Sequence, residues 1–131
     1  MRTGKQNFVK PHQEHIEIDA LKYVLYGSIQ MNWMQRIADA EGFQWDAGND
    51  TKSLIKHQVD CLEAEQIFRN QPLIIQNDAL HSRSESRARA FGKSDAGRML
   101  SVSFTIREKW IRVISARPMA ANERKIYEQI L

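Results

Sequence analysis

MLSVSFTIREKWIRVISARPM, residues 99–119, is the stretch from which the fold is read. Leu100, Val102, Phe104 and Ile106 alternate with Ser101, Ser103 and Thr105. That period of two marks a half-buried strand with one apolar and one polar face. Arg107, Glu108 and Lys109 form a tight hairpin, and Trp110 to Ala116 is the return strand, rich in β-branched residues. Pro118 ends it, and a helical pattern begins around Glu123 and packs through Ile126, Tyr127 and Ile130. Arg112 lies inside the return strand and Arg117 at its end. Guanidinium groups in a core strand need a reason.

Upstream of the hairpin, RARAF (Arg87 to Phe91) alternates like a third strand and GKSDAG is a turn. LIIQ, after Pro72, reads as a further strand, and Phe43 to Trp45 as a short one. Between these lie two helices. The first is capped by Asp46, Asn49 or Asp50 and runs to about His57. The second opens with Asp60 and Glu63 at capping-box spacing and lays Cys61, Ala64, Ile67 and Phe68 on one face. The expected fold is α+β: a small, mostly antiparallel sheet, two helices on one face, and a C-terminal helix.

Residues 1–41 read as an N-terminal extension to a domain spanning 42–131. From Glu14 to Ala40, apolar residues recur at Ile18, Leu21, Leu25, Ile29, Trp33 and Ile37. These steps of three and four trace one helical face, which must be buried somewhere. Gly27 and Ser28 suggest a break in it.

The 131 residues suit one domain with its own core. One cysteine, Cys61, allows no internal disulfide and fits a reducing compartment. No apolar run approaches the roughly 20 residues of a membrane span, and the N-terminus lacks the apolar centre of a secretory signal. A soluble cytoplasmic protein is expected. The net charge of +3 is unevenly spread. Residues 42–80 hold three basic and six acidic side chains, and residues 81–125 hold eleven and four. The cationic half coincides with the strands, which suits a polyanionic partner. A merely solvated basic face is the alternative.

The run HSRSESRARAFGKSDAGRMLSVSFT, followed by IRVISARPM and by Glu123, Arg124, Tyr127 and Glu128, resembles the BrnT family of bacterial type II toxins. FQWD and KHQV match the family's F-x-W-D and K-H-x-V elements. The resemblance covers about Gly42 to the C-terminus. It implies a ribonuclease of RelE-like fold and a ribbon-helix-helix antitoxin. It also implies contact with operator DNA only through that complex. Two departures stand out. Asn49 occupies a position where the family commonly has lysine, and Ser53 one where asparagine is usual. Residues 1–41 have no counterpart in the family.

Metal-independent RNA cleavage needs a base for the 2′-hydroxyl, cations for the phosphorane and an acid for the leaving oxygen. Arginine suits the cation role, since its fork grips two phosphate oxygens and stays charged. The expected catalytic set is Arg117, Arg112 and His57, with Lys56, Arg87, Arg89, Lys52 and Arg124 binding RNA. Strict alternation would point Arg112 and Arg117, five residues apart, to opposite faces unless the strand bends. Either could instead pair with Asp78, Glu85 or Glu123. His57 could equally be a cation at a helix C-terminus, and Lys56 a solvated lysine. The loop carrying His81 and Glu85 could supply an acid or base, or Glu85 could simply anchor Arg87 or Arg89.

No cofactor or metal is expected. The histidines at 12, 15, 57 and 81 form no compact ligand set, and no glycine-rich phosphate loop is present. The few aromatics are scattered, so no base-stacking platform is evident. A non-catalytic, antitoxin-binding co-repressor with a decayed site is the competing reading, prompted by Asn49 and Ser53.

Overall fold

The hairpin forms as its alternation predicts. The computed structural model describes residues 28–78 and 84–131. In chain order the elements are α1 (Ser28–Asp39), β1 (Gly42–Phe43), α2 (Lys52–His57), α3 (Cys61–Gln66), β2 (Ile74–Asn77), β3 (Ala88–Lys93), β4 (Met99–Arg107), β5 (Trp110–Pro118) and α4 (Ala121–Ile130). They build an α+β fold on one mixed sheet of order β1-β5-β4-β3-β2. Among the described residues only the β1–β5 pairing is parallel. Glu108 turns the β4–β5 hairpin with a positive φ of 56°. β5 runs two residues beyond the expected Ala116, because Leu100 still pairs with Pro118.

One sheet face is the core. Leu100, Val102, Phe104, Ile111, Val113, Ala88 and Ala90 are all buried there. Phe104 is the hub: Trp33 of α1 meets it edge-on at 5.3 Å and Phe68 at 5.2 Å. Phe68 in turn meets Phe43 at 5.4 Å. Such edge contacts add roughly 0.5–1.5 kcal/mol each beyond area burial. Trp33, Met34, Ile37 and Ala40, read as part of the extension, belong to this core. Trp33 Nε1 also donates to Asn77 Oδ1 of β2. The stripe positions Ile18, Leu21 and Leu25, and His12, His15 and His81, lie outside the described residues.

β5 departs from strict alternation. Ser103 pairs with Ser115 but Phe104 with Val113, which leaves Ile114 as the extra residue of a β-bulge. Arg112 then lies opposite Thr105, and Arg117 opposite Ser101. Ser101 and Thr105 share a face, so both arginines project from the polar side of the sheet. The bend that the five-residue spacing required is this bulge.

Candidate active site

α2 is held beside β5 by polar side chains that complete the strand's backbone pairing. β1 pairs with β5 only at Trp110 and Ile111, and Gln44 N–H then donates to Ile111 O. Beyond that point Asn49 Nδ2 donates to Val113 O at 2.7 Å and to Gln44 O at 3.1 Å. Ser53 Oγ accepts the Ala116 N–H at 2.7 Å. Both side chains are buried. An unmade bond at such a place costs about 1–3 kcal/mol. The two departures from the family pattern are thus the residues that seat α2 on the strand edge.

Seated there, α2 brings Lys52, Lys56 and His57 over the polar face of the sheet. With Ser53, Arg89, Ser115 and Arg117 they line one hollow of about 250 Å³. Arg89 pairs with Ser103, and Ser103 with Ser115, so these three form one cross-strand row. Phe91, Ser101 and Arg117 form the next. Arg89 Nη1 donates to Ser101 Oγ at 2.9 Å, across the two rows. His57 ends α2, where Gln58 adopts a left-handed conformation (φ 58°) and stops the helix.

Arg117 is braced. Its Nη1 and Nη2 donate to Glu123 Oε1 and Oε2 at 2.8 and 3.0 Å, and Nη1 also reaches Pro118 O. These bonds are the main reason the Glu123 carboxyl is held below the usual carboxylate range. They also push the Arg117 guanidinium above its ordinary value. Glu123 further accepts the Ala120 N–H, which supplies the helix-start contact that the Ala120 side chain cannot.

The other expected residues sit elsewhere. Arg112 is half-buried and gives Nη1 and Nη2 to Asp46 at 2.8 and 3.1 Å, so it does not line the hollow. Its hydrogen bonds chiefly hold the Asp46 carboxyl below its ordinary range. Glu85 anchors Arg107, at 3.0 Å through both oxygens, rather than Arg87 or Arg89. Arg87 adds a longer-range charge that helps keep Glu85 ionised. Arg124 Nη1 donates to Met119 O and ties α4 to the end of β5.

The hollow therefore unites five of the eight expected residues: Lys52, Lys56, His57, Arg89 and Arg117. Ser53 and Ser115 complete it and were not expected there, for a serine on a helix or on an alternating polar face carries no distinguishing signal. Among the described residues, no three His, Cys, Asp or Glu side chains group as metal ligands. No helix among them is long and apolar enough to cross a membrane.

Comparison with known proteins identifies the family of the chain. No curated protein matches the chain. The family profile described as "Ribonuclease toxin, BrnT, of type II toxin-antitoxin system" matches residues 45–123, from Trp45 just after β1 to Glu123 in α4. That span contains every side chain that lines the hollow, and the chain belongs to the BrnT family of ribonuclease toxins of type II toxin–antitoxin systems.

Proposed function

We propose that the protein is a metal-independent endoribonuclease that cuts cellular RNA by attack of the 2′-hydroxyl on the adjacent phosphorus. The observation that carries this reading is the convergence of two sheet arginines, two lysines and an imidazole on one hollow. Arg117 and Arg89 hold the phosphate and stabilise the phosphorane. His57 is the proton carrier: it takes the 2′-hydroxyl proton as the P–O2′ bond forms. The P–O5′ bond then breaks, the protonated His57 gives that proton to the leaving O5′, and a 2′,3′-cyclic phosphate remains. Lys56 and Lys52 hold flanking phosphates, with Arg87 and Arg124 further along the same cationic half. Arg112, opposite Thr105 and locked to Asp46, stabilises the Gln44–Asp46 segment from which α2 departs.

Preorganisation supports these assignments. Arg117 is fixed by Glu123 and Arg89 by Ser101, so little side-chain freedom is lost when a phosphate arrives. Groups held this way before the reaction are commonly the largest catalytic contribution. The RelE-like likeness of the fold belongs to this proposal too. So do a cytoplasmic location, a ribbon-helix-helix antitoxin and operator contact only through that antitoxin. Asn49 and Ser53, which prompted the co-repressor reading, have structural work on the β5 edge.

Growth separates the two readings. Expression without antitoxin should arrest growth, and Arg117→Ala or His57→Ala should relieve the arrest at equal protein level. Purified protein should leave cyclic phosphate ends on RNA in the presence of a chelator. A harmless wild type that still binds its co-expressed antitoxin would establish the co-repressor instead.

A further inference from the structure

A second concavity of about 430 Å³ lies beside the hollow, between α4 and the polar face of β2 and β3. Its lining includes Phe91, Gln76, Asn122, Glu123, Tyr127 and Ile126. The Arg117–Glu123 ion pair separates the two cavities, since Arg117 lines the first and Glu123 the second. We propose that this groove takes a nucleobase of the RNA whose phosphate occupies the arginine hollow, stacked on Phe91 with its edge read by Gln76 and Asn122. The inference rests on the ribonuclease reading and adds to it a base-binding subsite.

Register sets the distances. Phe91, Ser101 and Arg117 form one cross-strand row, so Phe91 lies two strand spacings, about 9.5 Å, from Arg117. Arg89 precedes it by two residues on the same face, about 6.5 Å away. A ring at that remove from two guanidinium-bearing positions suits a base whose own or neighbouring phosphate the arginines hold. The sequence made the aromatics look scattered, but the fold puts this one next to the cations.

The walls are largely apolar, with Ile74, Ile75 and Ile130 beside Phe91, and two rim side chains add the edge chemistry that a base needs. Gln76 and Asn122 are exposed and each offers both a donor and an acceptor, as a base edge does. Tyr127 is buried and its hydroxyl donates to Pro72 O, so its ring serves as a wall rather than a reader. Ile126 is 62% exposed and can cover the second face of a stacked base.

The test is titration of the full chain with inorganic phosphate and with the four nucleoside 3′-monophosphates. At least one nucleotide should bind tenfold or more tightly than phosphate. Phe91→Leu, which keeps apolar bulk against α4, should cost the nucleotide about tenfold and leave phosphate unchanged. Gln76→Ala, at an exposed position, should narrow the spread among the four bases. Nucleotides binding no better than phosphate, or Phe91→Leu weakening both alike, would overturn the base subsite and leave the groove to a protein partner. The ribonuclease reading fails separately, if Arg117→Ala leaves phosphate binding intact. Absence of binding by every probe would remove both.

Discussion

Arg117 gives both terminal nitrogens to the carboxylate of Glu123, six residues along the chain, at 2.8 and 3.0 Å. The pair links the last residues of β5 to the first turn of α4, where a carboxylate is also favoured by the helix dipole. Because Arg117 depresses the Glu123 pKa, the pair's stabilisation is present above the ordinary carboxyl value near 4.5. It is lost as pH falls through the lower folded-state pKa. Glu123→Gln should therefore lower stability at pH 7 by about 1 kcal/mol or less. The difference from wild type should shrink as pH drops toward 3. Urea midpoints at the two pH values check the sign; a deficit that grows in acid would contradict it.

Asn49 and Ser53 should behave as structural residues. Asn49→Ala strands Val113 O and Gln44 O at a buried edge, and Ser53→Ala strands the Ala116 N–H. Each should cost about 1–3 kcal/mol in thermal or chemical unfolding. Neither removes a charge from the hollow, and the Ser53 hydroxyl, which lines it, is already engaged by the Ala116 N–H, so toxicity should survive whenever the variant still folds at the assay temperature. A variant that keeps wild-type stability but loses toxicity would place its residue in the chemistry instead.

Much of this architecture was legible in the sequence, and the misses have physical causes. Alternation from Leu100 to Ile106 gave β4 and its apolar core face, but the strand is not half-buried: Ser101, Ser103 and Thr105 on the polar face are buried too, because neighbouring strands' side chains such as Arg89 lie across that face. Asp60 capped α3 as its spacing implied, accepting the Glu63 N–H. The bulge at Ile114 could not be read, since bulges depend on the partner strand's register. Without it Arg112 and Arg117 appear to diverge. The destination of each guanidinium was equally hidden: Glu85 and Glu123 were both visible as acids, but which arginine each meets is a tertiary fact. The grouping of Lys56 and His57 with Arg117 depends on where α2 sits, and two buried polar side chains fix that.

Trp33 should prove essential to the fold. Its ring is buried against Phe104, its indole N–H reaches Asn77, and the Arg36 guanidinium lies 4.7 Å over its ring. Trp33→Ala should cost about 3–5 kcal/mol. A chain starting at Met31 keeps this contact, and one starting at Met34 loses it. Soluble yield and melting temperature of the two truncations should differ sharply, with the shorter one failing.

Gly92 marks where β3 passes closest to the end of α3. A Cβ there would lie 3.0 Å from Ile67 Cβ and 3.2 Å from Ile67 O. Neither atom is the free end of a flexible chain, so backbone must move. Gly92→Ala should destabilise by about 1–3 kcal/mol, whereas alanine at Gly97, where nothing lies within 4 Å of the added carbon, meets only the strain of its positive φ of 87°. Paired unfolding curves for the two variants separate close packing from turn geometry.

The two arginines of β5 should part company in a cleavage assay. Arg117 lines the hollow with His57 and Arg89, while Arg112 is bound to Asp46 at the other end of the strand. If the hollow binds the reacting phosphate, Arg117→Ala should lower kcat by about a hundredfold or more, the usual loss for one preorganised donor. Arg117→Lys should recover only part of it, since an ammonium keeps the charge but not the fork. Arg112→Ala should act through stability, freeing Asp46 and loosening the start of α2, with a cleavage loss below tenfold once folded protein is equalised. The discriminating measurement is kcat alongside the unfolding midpoint for each variant. Arg112→Ala with an unchanged midpoint and a hundredfold lower kcat would move the reacting phosphate toward the Asp46 end of the sheet.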